Sequence, residues 1–186
     1  MYNIRKILND FGFSYVYDDI HNIDVNAFIA VFRCRIHDAF KQDWYGTLEK
    51  STVLDMYRNF KTSLEYESYL DILPKNLRFF FCRLRLSVHP LHIQTGRYAR
   101  NNVVRNQRYC QCCNSNDIED EFHFVCICPS FTDIRKKNIK KCYYIRPSVF
   151  KYLQLLQSNT RTELIKLCLF VKDSLKKRST LINVRT

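Results

Sequence analysis

The sequence predicts a small, mainly α-helical domain carrying one cysteine-rich insertion. Three observations lead there. Only three Gly and four Pro occur in 186 residues, which disfavours turn-rich β architectures and Gly-rich phosphate loops. Apolar residues recur at helical spacing in several segments. Five of the nine Cys fall within the nineteen residues from Cys110 to Cys128. With 46% hydrophobic and 15% aromatic residues the chain can bury a core. No run approaches the roughly 18 apolar residues of a membrane span, and the charged start MYNIRKILND has no apolar signal core. These features predict an intracellular protein, nuclear or cytoplasmic, with no membrane partner.

Taken in order, residues 1–24 are mixed and acidic and predict only a poorly structured or short N-terminal segment. A helical region with a basic loop is expected over 25–108. Its first helix, from Val25 to Lys41, places Phe28, Val31, Phe32, Ile36 and Phe40 on one stripe, with Asn26 as the cap. Ser51 or Thr52 is placed to cap a shorter helix, TVLDMYRNFK. Pro74 suits the first turn of the next, KNLRFFFCRLRLSV, where Leu77, Phe80, Phe81 and Leu84 form a core face. Arg78 and Arg85 lie two turns apart on another face. His89 to Tyr109 reads as loop and leads into the cysteine cluster, over 109–130. A C-terminal helical region, 131–178, is expected to hold SFTDIRKKNIKK, SVFKYLQLLQS and TRTELIKLCLFVKDSLKKR. In the last, Leu164, Leu167, Leu169, Val171 and Leu175 supply the apolar face. Residues 179–186 are expected to be a frayed tail.

The net charge of +12 is uneven. Residues 1–71 carry −3, residues 72–121 carry +4 and residues 122–186 carry +11. From Ile72 to Asn116 there is no acidic residue. Such lopsided basicity suits a polyanion, most often nucleic acid. Arg78, Arg83, Arg85, Arg97, Arg100, Arg105 and Arg108 are the candidate phosphate contacts, joined by Arg135, Lys136, Lys137, Lys140 and Lys141. Tyr98 and Tyr109 can stack on unpaired bases of RNA or single-stranded DNA. The bland alternative is that several of these arginines pair with Asp117 to Glu121 or cap helices.

A cysteine-rich chain without a secretory signal is not a disulfide framework. The spacing Cys110-x2-Cys113-x9-His123-x4-Cys128 offers three thiolates and one imidazole, a donor set for Zn²⁺. Four protein ligands leave no open position, so the site is expected to be structural and the chain not an enzyme. Cys112 and Cys126 compete for places in the set, and Cys128 is preferred because Pro129 turns the chain directly after it. Cys34, Cys82, Cys142 and Cys168 fall on apolar helical faces and are expected in the core. His89 and His92 are expected in polar surface contacts. Asp18-Asp19 follows Tyr15-Val16-Tyr17, but Val16 stands where a polymerase aspartate pair needs an aromatic, two positions before it, and the upstream palm is lacking. No P-loop, HExxH or Ser-His-Asp pattern occurs.

The run RLRLSVHPLHIQTGRY, then RNQRYCQCC, then IEDEFHFVCICPSF, resembles the zinc-binding C-terminal region of non-LTR retrotransposon reverse transcriptases. The matching positions are Cys110, Cys113, Glu119 to Glu121, His123, Cys128 and Pro129. DAFKQDWYGTLEKS and MYRNFKTSLEYESYLDILP are also similar to this group, so the resemblance covers about residues 25 to 175. It implies a helical segment after a polymerase thumb, with a zinc knuckle that helps hold template RNA or target DNA, and a polymerase domain as a further partner. The chain has neither a palm nor an endonuclease domain, so no reverse transcriptase activity of its own is expected. The alternative is a zinc-stabilised helical scaffold whose basic face meets an acidic protein.

Overall fold

The fold is mainly α, in a computed structural model that describes residues 3–99 and 102–185. Among the described residues the strand content is one isolated antiparallel bridge, Tyr109 with Ile118. Two compact units share the chain, one running to Ser51 and the next beginning at Thr52. The boundary therefore falls inside the region 25–108 that the sequence suggests as one.

In the first unit, α1 (Ile4–Asp10) and α2 (Ser14–Asp18) precede α3 (Val25–Lys50). The opening segment is thus more ordered than its composition suggests. Leu8, Phe13 and Val16 form its small core, with Phe28 and Phe32 of α3 packed against them. Two corrections apply to α3. Its cap is Asp24, whose carboxylate accepts the Asn26 and Ala27 amides at 2.9 and 3.1 Å, rather than Asn26. The expected stripe is also used at only two of its five positions, because Val31, Ile36 and Phe40 are 57%, 40% and 60% exposed. At about 100° per residue, positions 28, 32, 36 and 40 drift round the helix. The short α1 and α2 cover only its first turns.

The second unit holds the main core. TVLDMYRNFK condenses to one turn, α4 (Asp55–Arg58), and Ser51 is instead the C-cap of α3. Beyond α5 (Tyr69–Ile72), α6 (Lys75–Arg85) begins directly after Pro74, which is its N-cap rather than part of its first turn, and buries Phe81 and Leu84. After the single turn α7 (His92–Thr95) and the cysteine-rich segment come α8 (Thr132–Asn138), α9 (Lys141–Tyr144), α10 (Val149–Leu156) and α11 (Arg161–Arg185). The helix α11 packs chiefly on α6 and α8. It buries Leu164, Leu167, Cys168, Phe170 and Val171. The tail predicted from Ser179 is instead the last two turns of α11, through Arg185. Of the four cysteines expected in the core only Cys168 is buried; Cys34 and Cys142 are exposed and Cys82 is intermediate. No described helix is long and apolar enough to cross a membrane.

Candidate metal centre

The site is built by two turns facing each other. In the first, the Cys110 amide donates to the Asp117 carbonyl at 2.8 Å and the Glu119 amide to the Arg108 carbonyl at 2.9 Å. This closes a short hairpin round Cys110 and Cys113. Asn116 takes the left-handed conformation the reversal needs, φ 56°, which Asn tolerates better than most residues. In the second, Asp120 accepts the His123 amide at 2.7 Å, capping a π-helical turn from His123 to Ile127.

That turn explains the x4 spacing. In an α-helix residues five apart diverge by about 140°. The wider π turn, closed here by the Cys128 amide on the His123 carbonyl at 2.7 Å, reduces this to about 50°. His123 and Cys128 therefore point to the same place, and Pro129 then takes the chain away.

The result is a buried group of four donors, Cys110, Cys113, His123 and Cys128, all within 4.8 Å of one another, that could hold a metal ion. A tetrahedral ion with metal–sulfur bonds of about 2.3 Å and metal–nitrogen bonds of about 2.0 Å needs edges of about 3.8 Å between sulfurs and about 3.5 Å from sulfur to nitrogen. Cys110 Sγ and Cys128 Sγ are 3.8 Å apart, and Cys113 Sγ lies 3.4 Å from His123 Nε2. The donors fit. Cys112 and Cys126 are buried beside them but outside the group.

Hydrogen bonds from Cys112 and Cys128 hold the Cys110 thiol well below its ordinary value, while the same contacts and burial push those two thiols up. Burial pulls His123 down, yet the Cys110 and Cys113 sulfurs outweigh it and raise the imidazole to about 9. Burial, helped slightly by Asp120, outweighs the nearby Arg135 charge and pushes the Cys126 thiol up to about 12.

Three side chains fix this frame. Arg135 is buried and donates from Nε to the Val125 carbonyl at 2.7 Å, and from Nη2 to the Cys128 carbonyl at 2.8 Å. It thereby adds donors to carbonyls at the end of the turn, that of Cys128 also accepting the Phe131 amide at 3.3 Å. Ser130 Oγ donates to the Cys112 carbonyl at 2.6 Å, joining the two turns. Glu119, 1% exposed, accepts the His92 amide at 2.7 Å and lies 3.9 Å from Cys110 Sγ. Nearby, Ser87 Oγ and His89 Nε2 reach Glu121 Oε1 at 2.6 and 2.7 Å. His89 is therefore interior rather than a surface contact, and His92 Nδ1 meets the Tyr109 carbonyl at 2.9 Å.

Comparison with protein-family models, with curated proteins and with solved structures finds no match to this chain.

The arginines need the largest correction. Arg85 is buried, ion-paired with Glu67 at 3.0 Å and stacked over Phe60, Tyr69 and Phe81. Arg108 is buried and donates to the Val103 and Ile93 carbonyls, both at 2.8 Å. A Cβ added at Gly96 would come within 3.0 Å of the Arg108 stem, so the glycine makes room for it. With Arg135 these are structural donors, not phosphate contacts. Arg78 donates to the Leu73 carbonyl, Arg83 to the Val88 carbonyl, Arg97 to Thr52, and Arg105 pairs with Asp55. Arg100 lies outside the described residues. An acid-free stretch thus sends its guanidinium groups largely to backbone carbonyls, a use that charge counting does not reveal. Lys136, Lys137, Lys140, Lys141, Tyr98 and Tyr109 are exposed. The arginine that does meet the acidic knuckle segment is Arg178, which the sequence did not single out.

Proposed function

We propose that the second unit is a zinc-stabilised, non-catalytic module that binds single-stranded nucleic acid. The observation that carries the reading is the buried Cys3His group, two of whose edges are close to tetrahedral length. Thiolate and imidazole donors in that arrangement suit Zn²⁺. Four protein ligands fill a tetrahedron and leave no place for a reacting water, so the metal organises the fold.

The polyanion half of the reading rests on lysine. Lys136, Lys137, Lys141, Lys172 and Lys176 are all exposed, in the segment carrying +11. Exposed Tyr98 offers a stacking face. The similarity of the motif to retrotransposon reverse transcriptase tails supports the same reading, with RNA or single-stranded DNA as ligand and a polymerase domain as neighbour. A protein scaffold is the second reading, supported by the exposed apolar side chains Ile145, Val149 and Phe150 at 53%, 46% and 67%.

Native mass spectrometry of the chain and of Cys113→Ser, followed by anisotropy of a labelled single-stranded RNA, tests both halves. One zinc per chain, lost in the variant, is expected. RNA affinity is expected to fall steeply between about 50 and 200 mM salt. A stably folded chain without metal overturns the first half; salt-independent or absent RNA binding overturns the second in favour of the scaffold.

A further inference from the structure

Away from the metal centre, the second unit encloses a cavity of about 260 Å³ between α8, α9, α10 and the first turns of α11. Its rim is cationic. Lys136, Lys137 and Lys166 line it, and none of the three has an acidic partner among the described residues. The acid present, Glu163, is already engaged at both oxygens. Oε1 meets Lys140 Nζ at 2.5 Å, and Oε2 accepts Ser158 Oγ at 2.5 Å and the Tyr143 hydroxyl at 3.5 Å. Three lysines therefore line the cavity with no ion pair among the described residues. The first turn of α11 reaches the same wall through Thr162, adding the partial positive charge of a long helix's N-terminus.

The inner wall is different in kind. Leu155 and Leu167, 2% and 1% exposed, form its floor, and Tyr143, only half-buried, also lines it. An apolar wall under an ammonium rim matches a molecule with a flat, weakly polar body and an anionic end. Inorganic phosphate leaves the wall uncovered, and a sugar polyphosphate presents hydroxyl groups to it.

We infer that this cavity seats one nucleotide, its base against Tyr143, Leu155 and Leu167 and its phosphate between Lys136, Lys137 and Lys166. The inference deepens the nucleic-acid reading by giving one residue of a bound strand a defined place, and it rests on that reading only for the source of the nucleotide. A free mononucleotide has the same chemistry.

The test titrates the intact chain with AMP, adenosine and inorganic phosphate by calorimetry. The double variant Lys137→Gln/Lys166→Gln is titrated alongside. Both lysines are exposed, so the variant is expected to keep the wild-type circular dichroism. AMP is expected to bind on the order of tenfold more tightly than adenosine or phosphate, and to lose about tenfold in the variant. AMP is also expected to compete with a labelled single-stranded RNA about a dozen nucleotides long. AMP binding lost in the variant, with no strand binding at all, supports the cavity as a free-nucleotide site and overturns the strand reading. AMP no tighter than phosphate, or unaffected by the two substitutions, overturns the cavity. Strand binding that ignores both AMP and the substitutions does the same and leaves the strand reading intact.

Discussion

Arg178 and Glu119, 59 residues apart in the chain, form a two-pronged buried ion pair. Nε reaches Oε1 at 2.8 Å and Nη2 reaches Oε2 at 2.7 Å. Nη2 also donates to Gln111 Oε1 at 3.1 Å. The second half of α11 is thereby fastened to the hairpin that carries Cys110 and Cys113. Removing one partner of such a pair leaves the other charged and desolvated. Arg178→Ala is expected to lower unfolding stability by about 3–5 kcal/mol, and Glu119→Gln/Arg178→Met by clearly less than the single change. Denaturant unfolding of the three chains checks this; equal losses in the single and double variants would falsify it.

His123 presents Nε2 to the donor group, while its Nδ1 is buried without a hydrogen bond. Asp117 Oδ2 stands 3.6 Å from that Nδ1, slightly too far. Metal-ligating histidines usually donate their second N–H to a carboxylate or carbonyl. Asp117 is placed to close that gap when the ring is held by an ion. Asp117→Asn is therefore expected to weaken zinc about 10- to 100-fold in a chelator competition, with the helical signal of the loaded chain unchanged. An unchanged zinc affinity rules out this role for Asp117.

Arginine and lysine substitutions should separate cleanly. Arg85→Ala removes an ion pair and three ring contacts and is expected to cost about 2–4 kcal/mol of stability. Its effect on the salt dependence of RNA binding should be nil once the folded fraction is taken into account. Lys172→Gln with Lys176→Gln, exposed and one turn apart on α11, should leave stability within about 0.5 kcal/mol. The pair should also flatten the salt slope by roughly 0.7 for each phosphate no longer neutralised. Paired melting and anisotropy measurements decide it, and a slope changed by Arg85 but not by the lysines reverses the assignment.

Glu163 gives a pH dependence whose sign is fixed. Burial raises its carboxyl, but the hydrogen bonds from Lys140 and Ser158 outweigh it and hold it below the ordinary 4.5. A carboxyl depressed in the folded state contributes stability above its unfolded pKa and loses it as pH falls through the folded value. The stability difference between the chain and Glu163→Gln should thus be largest near neutral pH and shrink below about pH 4. Urea unfolding at several pH values measures it, and a difference that grows on acidification contradicts the assignment.

How much of this was legible in the sequence differs from element to element. The core face of α6 could be read because Leu77, Phe80, Phe81 and Leu84 repeat at helical spacing beside Pro74, and all four pack into one core. The donor set was legible as a spacing. The π turn that makes His123-x4-Cys128 converge was not, since periodicity does not distinguish a widened turn from an α-helical one. Arg85, Arg108 and Arg135 misled for a related reason. A guanidinium aimed at phosphate and one aimed at a carbonyl are written with the same letter, and only the fold separates them. The unused part of the α3 stripe shows the reverse case, where a regular pattern outruns the seven- and five-residue helices that could cover it.

The reach of Arg178 also sets an order of events during synthesis. All four metal donors have been made by residue 128, and Arg135 follows soon after. A growing chain can therefore draw its two turns together round an ion while most of α11 is still unmade. Until residue 178 emerges, Glu119 sits beside the sulfurs without its counter-charge. Docking of α11 can therefore follow the closing of the two turns, and Arg178 brings Glu119 its counter-charge only at that stage.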